Sequence, residues 1–258
     1  MCSVYIDDFY NNGIKNKGRK VNVDKKKNAL DLGGIGLQDI TKINGLNELT
    51  DLKILYLNGN YITKIQGLKH LINLEELFLE ANKIIEISGL DSLINLKGLY
   101  LNSNDISQLK GLDSLLNLRS LSIALNNIKK IEKIYNLPNL RRLDLRINKI
   151  NRIRNLDSLE NLKILKLDGN PIKDINMLKN LSNLEYLSLN RTQITDLEPL
   201  THLIKLKELY LNDTGIKDIK FIDSLNNLKV LSIDRRNLTY NMIKKLKNKT
   251  QDMIIFGI

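Results

Sequence analysis

The apolar residues of this chain follow two alternating rhythms. In the segment LKILYLNGNYITKIQGLKHLIN, Leu55 and Leu57 alternate with Tyr56 and Asn58, the period of a short strand with one buried and one exposed face. Ile62, Ile65, Leu68 and Leu71 then recur at every third position, which fits a tight 3₁₀-like or extended return better than an α-helix. The unit predicts a strand, a turn and a narrow return. Leu52, Leu74, Leu96, Leu118, Leu140, Leu162, Leu184, Leu206 and Leu228 stand 22 residues apart without slippage, giving nine registered copies. A degenerate copy precedes them. In it Leu30, Leu32, Leu37, Ile40, Ile43, Leu46 and Leu49 keep the pattern, with an extra triplet before Leu52 and Ile35 in place of an Asn.

Burying the roughly seven aliphatic side chains of one unit gains about 1.5 to 3 kcal/mol each. That is comparable to the entropy lost in ordering 22 residues, so a single coil does not fold alone. The coils must stack. An α/β repeat is expected: a solenoid whose concave face is a parallel sheet of about 10 to 11 strands and whose convex face is made of returns. Asn60, Asn82, Asn104, Asn126, Asn148 and Asn170 fall where turn peptides need partners, and a side-chain amide donates and accepts at once. They are expected to form a structural ladder. Thr192 and Thr214 replace the Asn and Arg236 ends the column, so the last coils should be tied less tightly.

Open solenoids must cover both hydrophobic ends. Residues 1–28 are expected to cap the start, with Val4 to Tyr10 against the first coil and a loose basic segment after them; residues 29–238 form the solenoid and 239–258 the second cap. In that cap Met242, Ile243 and Leu246 have helical spacing. Met253, Ile254, Ile255 and Phe256 then predict a strand pairing in parallel with the one that holds Leu231 and Ile233.

The signature LxxLxLxxNxI, seen in LKILYLNGNYI and LEELFLEANKI, is similar to the 22-residue subclass of the leucine-rich repeat family, and covers residues 30 to about 238. Within that subclass the chain looks most like the regulators of protein phosphatase 1 built from such repeats. TQITDLEPL at 192–200 also resembles bacterial internalin-type repeats. The resemblance implies a protein partner, a phosphatase catalytic subunit in the regulators' case, lying along the concave face on acidic and aromatic side chains. By position Glu76, Phe78, Glu80, Glu208 and Tyr210 match that character, while Arg142, Arg146 and Lys166 do not. The C-terminal cap also departs from the longer one of those regulators.

Three columns of residues run along the exposed face of the strands, about 4.8 Å apart from coil to coil. They gather Tyr56, Phe78 and Tyr100 into one aromatic patch beside Glu76 and Glu80, and Tyr186, Glu208 and Tyr210 into a smaller one. Exposed aromatics are typical binding anchors, although stacked rings also stabilise a sheet. Between the patches Arg142, Arg146 and Lys166 form a basic centre interrupted by Asp144 and Asp168, which in-sheet ion pairs would explain equally well.

Little else suggests chemistry. His70 and His202 occupy equivalent convex positions, Gly33, Gly34 and Gly36 lack the spacing of a phosphate loop, and no nucleophile elbow occurs. A non-enzyme without cofactor or metal is expected, acting as a monomer. The charge of +11 permits a second reading, a basic adaptor for nucleic acid or ribonucleoprotein, but the basic residues are scattered rather than interleaved with aromatics. A lone cysteine, Cys2, allows no intramolecular disulfide. No stretch has the length of a signal peptide's apolar region or of a membrane span, so a cytoplasmic location, extending to the nucleus in a eukaryote, is expected. The Asn-X-Ser/Thr sites at Asn190, Asn212, Asn237 and Asn248 are read as chance in an Asn-rich chain.

Overall fold

The computed structural model describes residues 3–11, 14–131, 134, 136–156, 158–234, 236, 238–249 and 254–256. Cys2, Met253 and Asn237 lie outside them, as do the side chains of residues 7–17, 247–249 and 254–256.

The alternating segments form strands where the pattern places them. The degenerate first coil contributes β3 (Ala29–Asp31). The registered coils contribute β5 (Ile54–Tyr56), β6 (Glu76–Phe78), β7 (Gly98–Tyr100), β8 (Ser120–Ser122), β10 (Arg142–Asp144), β12 (Ile164–Lys166), β13 (Tyr186–Ser188), β14 (Glu208–Leu211) and β15 (Val230–Ile233). With β16 (Ile254–Phe256) they make one 11-stranded sheet in coil order. Every pairing is parallel and in register, so that Leu55, Leu77, Leu99, Leu121, Leu143 and Leu165 share one buried row. Because each return is narrower than the strand layer, the stack bends with the sheet on its concave side.

The returns are extended or 3₁₀, and their form changes along the chain. 3₁₀ turns occur in the first coil, at Ile40–Lys42 and Leu46–Glu48, and in three late coils, at Asn176–Asn180, Glu198–His202 and Lys220–Asp223. The late turns share a cause. Asp174, Asp196 and Asp218 each accept at 2.9 Å from the backbone N–H two residues on, a local bond that starts the turn. Between these regions β9 (Lys130–Ile131) and β11 (Arg152–Ile153) form a short parallel pair on the convex side.

The six ladder asparagines are buried, and each ties two coils together. The Asn82 amide donates to the carbonyl of Leu79 in its own coil and of Leu57 in the preceding one, while its oxygen accepts from the N–H of Ile62. Thr192 and Thr214 donate to Leu189 and Leu211 of their own coils. At Thr192 the shorter side chain does not replace the amide oxygen that would accept from the preceding coil. The N–H of Ile172 accordingly turns to the carbonyl of Asn170.

A second ladder has no counterpart among the sequence expectations. Asn73, Asn95, Asn117, Asn139, Asn161, Asn183 and Asn227 each donate to a backbone carbonyl of the previous coil, 23 residues back. Each immediately precedes a registering Leu, so its 22-residue period was legible. Asp51 and Lys205 stand at the two remaining positions, and Lys205 donates to the Asn183 side chain.

The two ends are closed differently. β1 (Ser3–Asn11) and β2 (Ile14–Asn22) form an antiparallel hairpin, and β1 pairs with β4 (Ile43–Asn44) in the first return. Residues 14–22, expected as part of a loose basic segment, are therefore the second arm of that hairpin. Val4 and Ile6 are buried against the first coil. At the other end β16 pairs in parallel with β15, bringing Ile255 opposite Leu231. The helix α1 (Tyr240–Lys249) buries Leu246 completely and packs Met242 on the core.

Candidate functional site

Strands such as β5, β6, β8, β10 and β12 bury their middle residue and turn the flanking residues toward the concave surface. The one-coil offset between neighbours brings their side chains into direct contact. Tyr56 and Phe78 stack at 4.6 Å between ring centroids, with 19° between planes, and Phe78 and Tyr100 at 4.5 Å and 7°. The three rings form a continuous platform. Glu76 and Glu80 flank Phe78 on the same coil.

These two carboxylates are unusual. Oε2 of each is shut off from solvent and makes no hydrogen bond among the described residues. Burial pushes both carboxyls above the usual range; for Glu76 a nearby Tyr100 hydroxyl offsets this only in part. Gly98 explains how Glu76 gets there. A Cβ at position 98 would come within 1.9 Å of Glu76 Oε2, so the missing side chain is the notch in which the carboxylate lies. Burial and the Glu76 charge push the Tyr100 phenol up to about 12. The closest lysines are engaged elsewhere: on the rim, Lys53 and Lys97 reach Glu75 at 3.2 and 2.6 Å and hold its carboxyl below the usual range.

The smaller patch is organised otherwise. Tyr186 and Tyr210 meet at 5.2 Å with a 35° tilt, and the Tyr210 hydroxyl donates to Glu208 at 3.0 Å. Burial and that carboxylate push Tyr210 up to about 12. Lys166 lies 5.4 Å from the centroid of the Tyr186 ring, a cation–π contact. Asp168 accepts from the Ser188 hydroxyl and from the Asn190 amide, leaving its Oδ2 buried and unpartnered. On the rim Glu185 binds Lys163 at 2.7 Å and Lys207 at 2.5 Å, and those bonds hold its carboxyl at about 2.

The basic centre is only partly paired. Arg146 and Asp144 form a bidentate ion pair with contacts from 2.7 to 3.0 Å. Arg142 is exposed and has no ion-pair partner among the described residues. His70 and His202 are exposed, and among the described residues no three His, Cys, Asp or Glu side chains converge to hold a metal. No helix of the described residues is long and apolar enough to cross a membrane.

Two family models match the chain: leucine rich repeat over residues 116–172, and leucine rich repeats in two copies over 160–202. No curated protein matches by sequence. Among solved structures, internalin C2 of Listeria monocytogenes is 29% identical with a TM-score of 0.70, over 77% of this chain and 88% of that one. A leucine-rich-repeat protein of Leptospira interrogans is 26% identical with a TM-score of 0.68, over 81% of this chain and 62% of that one. The leucine-rich-repeat ectodomain of the receptor kinase GASSHO1/SCHENGEN3 of Arabidopsis thaliana, solved with CASPARIAN STRIP INTEGRITY FACTOR 2, shares the fold at 24% identity and a TM-score of 0.63, over 88% of this chain and 31% of that one. The repeat signature, the family matches and the shared solenoid show that the chain has the leucine-rich-repeat fold.

Proposed function

We propose that this chain is an interaction protein whose concave face receives a positively charged segment of a protein partner on the platform of Tyr56, Phe78 and Tyr100. Leucine-rich-repeat proteins generally act by binding other proteins. The observation that carries the reading here is the pair of desolvated oxygens on Glu76 and Glu80, which lie beside an aromatic platform without a donor. A buried carboxylate oxygen with no partner is costly. An arginine or lysine of a partner would supply the missing donors, and its stem or guanidinium plane would lie on the stacked rings.

The experiment is capture of partners from an extract of the source cell, comparing the wild type with a Tyr56→Ala, Phe78→Ala, Tyr100→Ala variant of unchanged fold. Loss of the specific partners is expected. Identical partner sets would overturn the reading. Regulation of a protein phosphatase is a finer version, supported by the acidic and aromatic character of Glu76, Phe78, Glu80, Glu208 and Tyr210. Mixing the chain with purified protein phosphatase 1 catalytic subunit and looking for a complex by size-exclusion chromatography tests that version separately.

A further inference from the structure

The turns that leave β5 to β8, β10 and β12 to β14 each hold a residue in the left-handed conformation, and the column reads Gly59, Ala81, Ser103, Leu125, Ile147, Gly169, Arg191 and Asp213. Glycine adopts this conformation freely; for a bulky side chain, and most of all a β-branched one, it is strained. Leu125 at φ 56° and Ile147 at φ 50° bear that strain in adjacent coils. Neither is buried for it. They are 48% and 54% exposed, so core packing does not account for them. Strained backbone retained without a packing return marks places where the side chain has another use.

The surroundings limit that use. Ile147 leans over Gly169, whose Cβ would lie 3.3 Å from Ile147 Cγ1, and borders a concave hollow of about 440 Å³ that is lined by Lys166 and Arg191 and also by Asp168 and Asp213, the latter paired with Arg191. Down the same coil lie Arg146 and Arg142, and on the lower rim Arg119 and Arg141 are exposed side by side. Of these, Arg142 and Lys166 have no ion-pair partner among the described residues. The middle coils thus present two apolar side chains at their turns and cations without an ion-pair partner a few residues below, with Ile147 and Lys166 lining the same hollow.

We infer that the middle coils form a second docking strip, for an extended polypeptide segment that carries an aliphatic side chain and, a few residues away, a carboxylate. The aliphatic group covers Leu125 and Ile147; the carboxylate takes Arg142 and Lys166. Nucleic acid would use the cations but would leave the aliphatic pair exposed. The strip differs in sign from the platform of Tyr56, Phe78 and Tyr100 and does not depend on it.

The probe is a fluorescein-labelled dodecapeptide of alternating Glu and Leu, added to the full chain and followed by anisotropy and by methyl NMR. An alternating Glu and Ser peptide, an alternating Lys and Leu peptide and a labelled dodecathymidylate serve as comparisons. Saturable, salt-sensitive binding of the Glu/Leu peptide is expected, with shifts at the Leu125 and Ile147 methyls and an affinity at least about fivefold above that of every comparison. Leu125→Gly and Ile147→Gly remove strain along with the side chain. They should therefore weaken binding at least about fivefold while leaving the urea midpoint unchanged or higher. Arg142→Gln and Lys166→Gln should weaken it similarly, and Tyr56→Ala should not. No saturation up to about 1 mM, glycine variants that bind like the wild type, or dodecathymidylate binding as tightly as the Glu/Leu peptide would each overturn the proposal.

Discussion

The same sheet carries two aromatic patches, and they are finished differently. At Tyr186 and Tyr210 the polar groups largely satisfy one another: Tyr210 donates to Glu208, and Asp168 accepts from Ser188 and Asn190. At Tyr56, Phe78 and Tyr100 the rings are stacked and flat, while Glu76 and Glu80 each keep a buried oxygen without a donor. One patch is nearly complete by itself. The other lacks the cation that would complete it, although lysines stand on the rim next to it, bound to Glu75. Aromatic exposure alone does not separate the two; the bonds their carboxylates accept do, since Asp168 also keeps a buried oxygen without a donor but accepts two bonds on its other oxygen. The scaffold beneath differs too, because the first patch rests on coils stapled by Asn82 and Asn104 and the second on coils where Thr192 and Thr214 stand in place of the asparagine and donate to Leu189 and Leu211 of their own coils.

The largest effect expected from this contrast is on stability. Asn104→Ala removes bonds to Leu79 and Leu101 and strands the N–H of Ile84, and should cost about 3 kcal/mol in urea denaturation; Thr192→Ala should cost about 1 kcal/mol. Equal costs would mean that the ladder ties no more tightly than a local bond. Next comes binding: the triple alanine variant of Tyr56, Phe78 and Tyr100 should lower the affinity of a captured partner by about 2 kcal/mol or more, measured by calorimetry. Tyr186→Ala with Tyr210→Ala should change it by less than about 0.5 kcal/mol. A reversal of these two results would exchange the roles of the patches.

Smaller but sharper is Glu76→Gln. Removing a desolvated charge should raise the stability of the free protein by about 0.5 to 1 kcal/mol, after allowance for partial solvent screening, while partner affinity falls. Glu208→Gln should not stabilise, because its carboxylate already accepts from Tyr210. The smallest effect concerns pH. A carboxyl whose pKa is raised in the folded state contributes stability that is fully present below the unfolded value and is lost as pH rises through the folded one. Glu76 and Glu80 should therefore cost the wild type stability as pH rises from about 4.5, relative to a Glu76→Gln, Glu80→Gln variant. Comparing the two proteins cancels the opposite contribution of Glu75, whose carboxyl is lowered. Parallel melting curves at every pH would contradict this.

Much of the architecture was legible because a repeat writes its fold many times over. The registering leucines and the inner asparagines set the strands and the parallel stacking, and the spacing of Met242, Ile243 and Leu246 pointed to the helix that covers the last coil. The N-terminal hairpin was not legible, since the lysines of residues 14–22 read as a solvated segment and its β1 pairs with a return instead of the concave sheet. The outer asparagines were missed for a different reason: an exposed Asn looks like an ordinary surface residue until the carbonyl it serves is placed beside it. Columns of concave residues could be written from the period alone. Which of them were self-satisfied could not, because Glu76 and Glu208 occupy the same column, and it is the notch at Gly98 that buries one and the Tyr210 hydroxyl that donates to the other.

The central claim, that the first patch is completed by a partner's cation, is tested most directly by following the carboxyl carbons of Glu76 and Glu80 by NMR. The protein would be titrated with pH in the presence and absence of an arginine-containing peptide taken from a captured partner. The account predicts that both carboxyls titrate above the usual range in the free protein and fall back toward or below it when the peptide is bound. Peptide binding that leaves both titrations where they were, or that moves Glu208 instead, would contradict it.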